Sequence, residues 1–166
     1  MNAANNADAK RAGQVTQSRR QPMFHRVLHA RPMVVRDTLA AIRRRFAAEI
    51  DEDALGRLEL VLAEVMNNVT EHGPRGDTTA PDAPVIHLSI VRHEGGLSCS
   101  ITDDGVSLPD SCLLPRPIPD TAALDLPEGG FGWFLIQDLT QELYYYREET
   151  RNFLAFHLPV TDDPES

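Results

Sequence analysis

The sequence predicts an α/β (α+β) two-layer sandwich in which a mixed, largely antiparallel sheet is covered on one face by helices. Three observations carry that reading. Apolar residues Leu55, Leu58, Leu62, Val65 and Val69 recur at three- and four-residue steps, the period of one buried helical face. Ile86, Leu88 and Ile90 alternate with other residues, and Leu97, Cys99 and Ile101 repeat the pattern after the Glu94-Gly95-Gly96 turn. That is an antiparallel hairpin. A second hairpin is read at Leu143 to Arg147 and Phe153 to Leu158, around Glu148 to Arg151.

Taken in order, residues 1–21 are rich in Ala, Asn, Gln and Arg without periodicity, and read as a disordered basic tail. The globular pattern opens at Met23, giving a domain over 22–160 and a loose acidic tail over 161–166. Met23 to Ala30 is a short first strand. Pro32 suits the first turn of a helix whose buried face is Val35, Leu39, Ile42 and Phe46, with Arg43 to Arg45 mostly off that face. Asp51 and Asp53 offer N-cap chemistry to the next helix, and Gly73-Pro74 stops it. A polar loop over 74–84 leads into the first hairpin, and Asp103 is next in its inward-facing series. Residues 104–127 hold five prolines and no clear period. A loop of that length inside a compact domain is usually functional or mobile. Glycines at 129, 130 and 132 then run straight into an apolar helix, about Phe131 to Leu139.

Composition narrows the function classes. At 166 residues, 42% hydrophobic and 25% charged, this is an ordinary globular chain with length for one core. Cys99 and Cys112 show no metal or redox spacing and suit a reducing cytoplasm. No apolar run approaches the roughly 18 residues of a membrane helix, and the N-terminus lacks the apolar core of a secretory signal. The net charge of −9 is unevenly spread. Residues 1–45 hold ten basic residues against Asp8 and Asp37, whereas the remainder holds six Arg against 23 acids. So acidic a body argues against direct nucleic-acid binding, where phosphate contacts dominate affinity. The basic arm reads as a solvated tail plus an exposed helix face.

Three short motifs point to chemistry. Glu64, Asn68 and His72 are four residues apart, and steps of four drift by only about 40°, so they share one edge of the long helix. Asp103-x-Gly105 stands at a strand end, and Gly129-Gly130-x-Gly132 opens a helix. Each alone has an ordinary explanation: a solvated helix edge, a turn, another turn. His72 suits a site or a helix cap equally. Together their chemistry is complementary. Glycine lets ligand phosphates approach the backbone, and a helix start presents unpaired N–H groups. A carboxylate such as Asp103 only accepts hydrogen bonds and could take the exocyclic amine of adenine. An Asn68 carbonyl suits Mg²⁺, and Glu64, one turn away, could accept a proton from an attacking hydroxyl.

On LAEVMNNVTEHG, ITDDGVSLPD and EGGFGWFLI, the chain resembles the N, G1 and G2 boxes of the GHKL-type (Bergerat) ATP-binding fold. More narrowly, over residues 23–158, it is similar to the bacterial anti-sigma-factor serine/threonine kinases. The resemblance implies Glu64 as catalytic base and Asn68 as Mg²⁺ ligand. It implies Asp103 as adenine contact beside Gly105, and Gly129, Gly130, Phe131 and Gly132, with His72, around the nucleotide. It also implies ATP as cosubstrate, an anti-anti-sigma (STAS-type) partner and a sigma factor bound alternately, and a homodimer. Two departures stand out: Ser107 replaces the second G1 glycine, and Arg151-Asn152 lacks the usual neighbouring glycine. The lid, about Ser107 to Glu128, has Arg116 as its one cation.

Two further readings compete. One is a degenerate binding module that sequesters a regulator without catalysis, which Ser107 and the thin lid motivate. The other is a detached histidine-kinase catalytic domain, against which no helix pair with an acceptor histidine precedes the boxes. Elsewhere the residues read as structural. His25 and His29 fall on a strand, Cys99 and Cys112 are core and loop, Tyr144 to Tyr146 are strand aromatics, and Trp133 and Phe134 are core.

Overall fold

The computed structural model describes residues 23–71, 83–106 and 130–161. The elements are β1 (Met23–His29), α1 (Pro32–Phe46), α2 (Glu52–Glu71), β2 (Val85–His93), β3 (Gly96–Asp103), α3 (Gly130–Leu139), β4 (Gln141–Glu148) and β5 (Arg151–Pro159). The strands form one five-stranded sheet in the order β1-β2-β3-β5-β4. The expected largely antiparallel sheet is present, and each of its four described pairings is antiparallel.

Alternation along the strands decides which sheet face the helices cover. Leu28, Ile86, Leu88, Ile90, Leu97, Ile101, Leu154, Phe156 and Leu158 point to one side and are buried with the apolar faces of α1, α2 and α3. The opposite face carries His25, His29, Tyr144 and Tyr146, all exposed. Cys99 lies in the core, where burial pushes its thiol far up.

Helix α1 opens on a proline, as the sequence suggests, and buries Val35, Ile42 and Phe46. The stripe differs at one position. Thr38, not Leu39, is fully buried, while Leu39 packs part-way into the core. The Thr38 hydroxyl donates to the Val34 carbonyl at 2.8 Å and accepts from Arg26 Nη1 at 3.2 Å, so its polarity is satisfied inside.

Helix α2 is the structural spine. Asp51 caps it, its Oδ1 accepting the Ala54 N–H at 2.8 Å, and Glu52 and Asp53 suit the positive end of the helix. Ala54, Leu55, Leu58, Val61, Leu62, Val65 and Met66 are buried. Arg43 of α1 grips Glu59 with two bonds, at 2.9 and 2.7 Å, and reaches Glu52 at 2.8 Å. This fork fixes the angle of α1 on α2; its heads stay partly in water, so it adds orientation more than stability. No described helix is long and apolar enough to cross a membrane.

Candidate functional site

Glu64 and Asn68 sit half-buried on α2, one turn apart, on the edge the spacing predicted. Two glycines approach this part of the helix. A β-carbon at residue 132 would fall on Glu64 Oε2 and lie 3.4 Å from its Cδ. Helix α3 therefore starts against α2 with the end of the Glu64 side chain lying against Gly132. At the other end, a β-carbon on Gly105 would lie 3.6 Å from Val69 Cγ1, one residue beyond Asn68, and 2.9 Å from Asp103 Oδ1. Glu64 and Val69 are five residues apart, or about 7.5 Å along the helix. Gly105 and Gly132 thus bracket the stretch of α2 that bears Glu64 and Asn68.

Asp103 ends β3 in the inward-facing series, paired with Ile86 on β2 and Asn152 on β5. Its Oδ1 accepts the Gly105 N–H at 2.8 Å and the Asn152 Nδ2–H at 2.9 Å. Burial raises the carboxyl above its ordinary range. The Asn152 and Gly105 hydrogen bonds and the Arg147 charge pull it back, and Asp104 pushes it up. Asp104 itself accepts the Val85 N–H at 2.7 Å, which ties the strand end to the start of β2.

Sequence reasoning missed a polar cluster behind Asp103. Asn152 is 3% exposed, its Oδ1 accepting from Tyr145 Oη at 2.9 Å and Arg147 Nη1 at 2.7 Å. Arg147 also donates to the Gly105 carbonyl at 3.0 Å. Tyr145 was expected to be a plain strand aromatic, and its flanking Tyr144 and Tyr146 are exposed as such. The available signal was register. Pairing the closing hairpin back onto β3 puts Asn152 opposite Asp103.

Other candidates divide clearly. Gly130 and Phe131 open α3, but nothing of the Phe131 side chain is among the described residues. His72, Gly129, Ser107, Cys112, Arg116 and the lid lie outside the described residues. Trp133 is core, and Phe134 is half-buried. A depression of about 290 Å³ opens on the uncovered sheet face beside Ser89, Ser98, Ser100, Tyr144 and His157, away from every candidate residue.

The site's chemistry suits a nucleotide with a hard cation. Among the described residues no group of three His, Cys, Asp or Glu could hold a metal alone. An amide oxygen such as that of Asn68 is of the kind Mg²⁺ takes, with waters and phosphate oxygens as its remaining ligands. At 105 and 132 the space a β-carbon would take is already held by Asp103 and Glu64, so these glycines serve close approaches within the fold itself.

Comparison with known proteins shows the family. Residues 28–157 match the histidine kinase-like ATPase domain family. Two curated relatives, each an anti-sigma F factor, come from Geobacillus stearothermophilus and Geobacillus kaustophilus (strain HTA426). Each is 26% identical over 113 residues, covering 67% of this chain and 74% of the relative. Among solved structures, the RsbU and RsbW domains of Rv1364c from Mycobacterium tuberculosis superpose with a TM-score of 0.56 at 16% identity. That likeness covers 84% of this chain and 32% of the other, and supports the fold alone.

Proposed function

The chain belongs to the histidine kinase-like ATPase domain family, and from that premise we propose an anti-sigma regulatory factor with serine/threonine protein kinase activity. It phosphorylates an anti-anti-sigma (STAS-type) partner and sequesters a sigma factor, which places its work in the cytoplasm. The similarity to anti-sigma F factors supports the partner classes. The observation that carries the site is the convergence of Gly105 and Gly132 on the α2 stretch bearing Glu64 and Asn68.

In this reading ATP is the cosubstrate. Asp103 accepts a hydrogen bond from the exocyclic amine of adenine, and the backbone at Gly105 and Gly130 to Gly132 lies along the phosphates. Asn68 would hold Mg²⁺, which neutralises phosphate oxygens when bound. Glu64 takes the proton from the partner's serine or threonine hydroxyl. That oxygen bonds to the γ-phosphorus as the bond to the β-phosphate oxygen breaks, and ADP leaves with the electron pair. Phosphoryl transfer asks mainly for position and charge balance; the chain's own residues would supply position, and a bound Mg²⁺ would supply the charge.

The test is co-purification of the native partner, incubation with Mg-ATP and mapping of the phosphorylated residue. Acid-stable phosphate on one serine or threonine is expected. Acid-labile phosphate would indicate a histidine acceptor instead. No nucleotide isotherm in calorimetry would leave a sequestering module without catalysis.

A further inference from the structure

We propose that Asn152 is a specificity-determining positioning residue. It holds the Asp103 carboxylate so that the free oxygen reads an N–H donor on the ligand's base, selecting an amino-purine over an oxo-purine. The proposal rests on the reading of Asp103 as the base contact.

The orientation of the Asn152 amide follows from its neighbours. Arg147 Nη1 stands 2.7 Å from one amide atom, and a guanidinium only donates, so that atom is the oxygen. The NH₂ group must then face Asp103 Oδ1 at 2.9 Å, with the carbonyls of Val106 at 3.2 Å and Gly105 at 3.3 Å beside it. A flipped amide would set two donors against each other. Tyr145 Oη, at 2.9 Å, completes the oxygen's set. The side chain is thus held by five partners inside the fold.

That fixed donor decides what Asp103 can offer. Oδ1 already accepts two N–H groups, from Asn152 and Gly105, which fills an oxygen with two lone pairs. Oδ2 receives no hydrogen bond from the described residues and is the atom left for a ligand. Ionised, it accepts from an exocyclic amine. Protonated, it would carry the O–H, because Oδ1 is occupied, and would then favour a carbonyl at the same place on the ring. Adenine and hypoxanthine differ in that group.

Burial pushes Asp103 toward the protonated form, and Asp104 adds to the push. Asn152, Gly105 and the Arg147 charge oppose it. His87 and Arg151 also line the small depression beside Asp103 and belong to its surroundings. Among the opposing groups Asn152 is the one whose side chain touches the carboxylate directly.

The experiment compares ATP and ITP binding to the full chain by calorimetry, with Mg²⁺, across about pH 5.5–8.5. The variants are Asn152→Leu, similar in size without hydrogen bonds, and Asn152→Thr, which keeps a donor. Wild type should prefer ATP. In Asn152→Leu, ATP affinity should fall about tenfold or more with ITP little changed, and ATP binding should weaken from a higher pH than in wild type. Asn152→Thr should recover part of the ATP/ITP ratio. Equal weakening of both nucleotides, with ratio and pH profile unchanged, overturns the proposal. Should the leucine variant not fold, a threonine variant with wild-type pH profile and no preference between bases overturns it as well. Failure of the underlying reading looks different: Asp103→Asn would then bind ATP like wild type.

Discussion

The Glu64 carboxylate occupies the space that a β-carbon at Gly132 would need, so the proposed base and the start of α3 share one contact.

Replacing the carboxylate separates chemistry from binding. Glu64→Ala should lower phosphoryl transfer by roughly 10²–10⁴-fold while Mg-ATP affinity stays near wild type. Labelled-phosphate transfer and calorimetry on the same preparation check both halves. Transfer at the wild-type rate would remove Glu64 from its role.

A side chain at Gly132 should be felt first by the Glu64 carboxylate. Gly132→Ala obliges the flexible end of the Glu64 side chain to swing aside, so its cost to stability should not exceed about 1 kcal/mol. In the double variant Glu64→Ala/Gly132→Ala the obstruction is gone. A denaturation cycle should show a coupling of at least about 0.5 kcal/mol in the direction of relief. Strict additivity would mean that the clash is relieved elsewhere.

Asp103→Asn should exchange function for stability. Burial lets the folded carboxyl keep its proton to a higher pH than the unfolded one. Folding therefore takes up protons between those two values, and stability falls as pH rises through them. An amide cannot ionise and escapes that loss, yet its oxygen still accepts from Gly105 and Asn152. The variant should melt at or above wild type near neutrality, and the gap should close as pH falls toward about 4, the ordinary Asp range. Nucleotide binding should be lost. Melting curves against pH together with calorimetry decide; a variant less stable than wild type at neutral pH contradicts the account.

The cap at the head of α2 should matter despite its distance from Glu64. Asp51→Ala leaves the Ala54 N–H without its partner and should cost about 0.5–2 kcal/mol by urea unfolding. Asp51→Asn should recover most of it. An alanine variant as stable as wild type would show that water caps the helix equally well.

Much of the molecule was legible beforehand because its elements obey local rules. The i, i+3, i+4 stripe gave α2, strict alternation gave β2 and β3, and a glycine-led apolar run gave α3. The edge holding Glu64 and Asn68 followed from helical geometry alone. Thr38 and Asn152 were missed because their burial depends on partners distant in sequence. Arg26 lies twelve residues from Thr38, and Asp103 lies 49 from Asn152. A buried polar residue is indistinguishable from a surface one until its partner is placed. The closing strands also proved longer than their apolar cores, Gln141–Glu148 and Arg151–Pro159, since backbone pairing continues where side chains turn polar.

The strand order sets a timetable for synthesis. Because β5 lies between β3 and β4, the β3 edge stays open until residues 151–159 have emerged from the ribosome. Until then Asp103 lacks the amide that fixes it, and β4 has no neighbour to pair with. A nascent chain that already contains the whole of α2, Gly105 and Gly132 would still be unable to grip a base, so nucleotide capture should begin only when the sheet is complete.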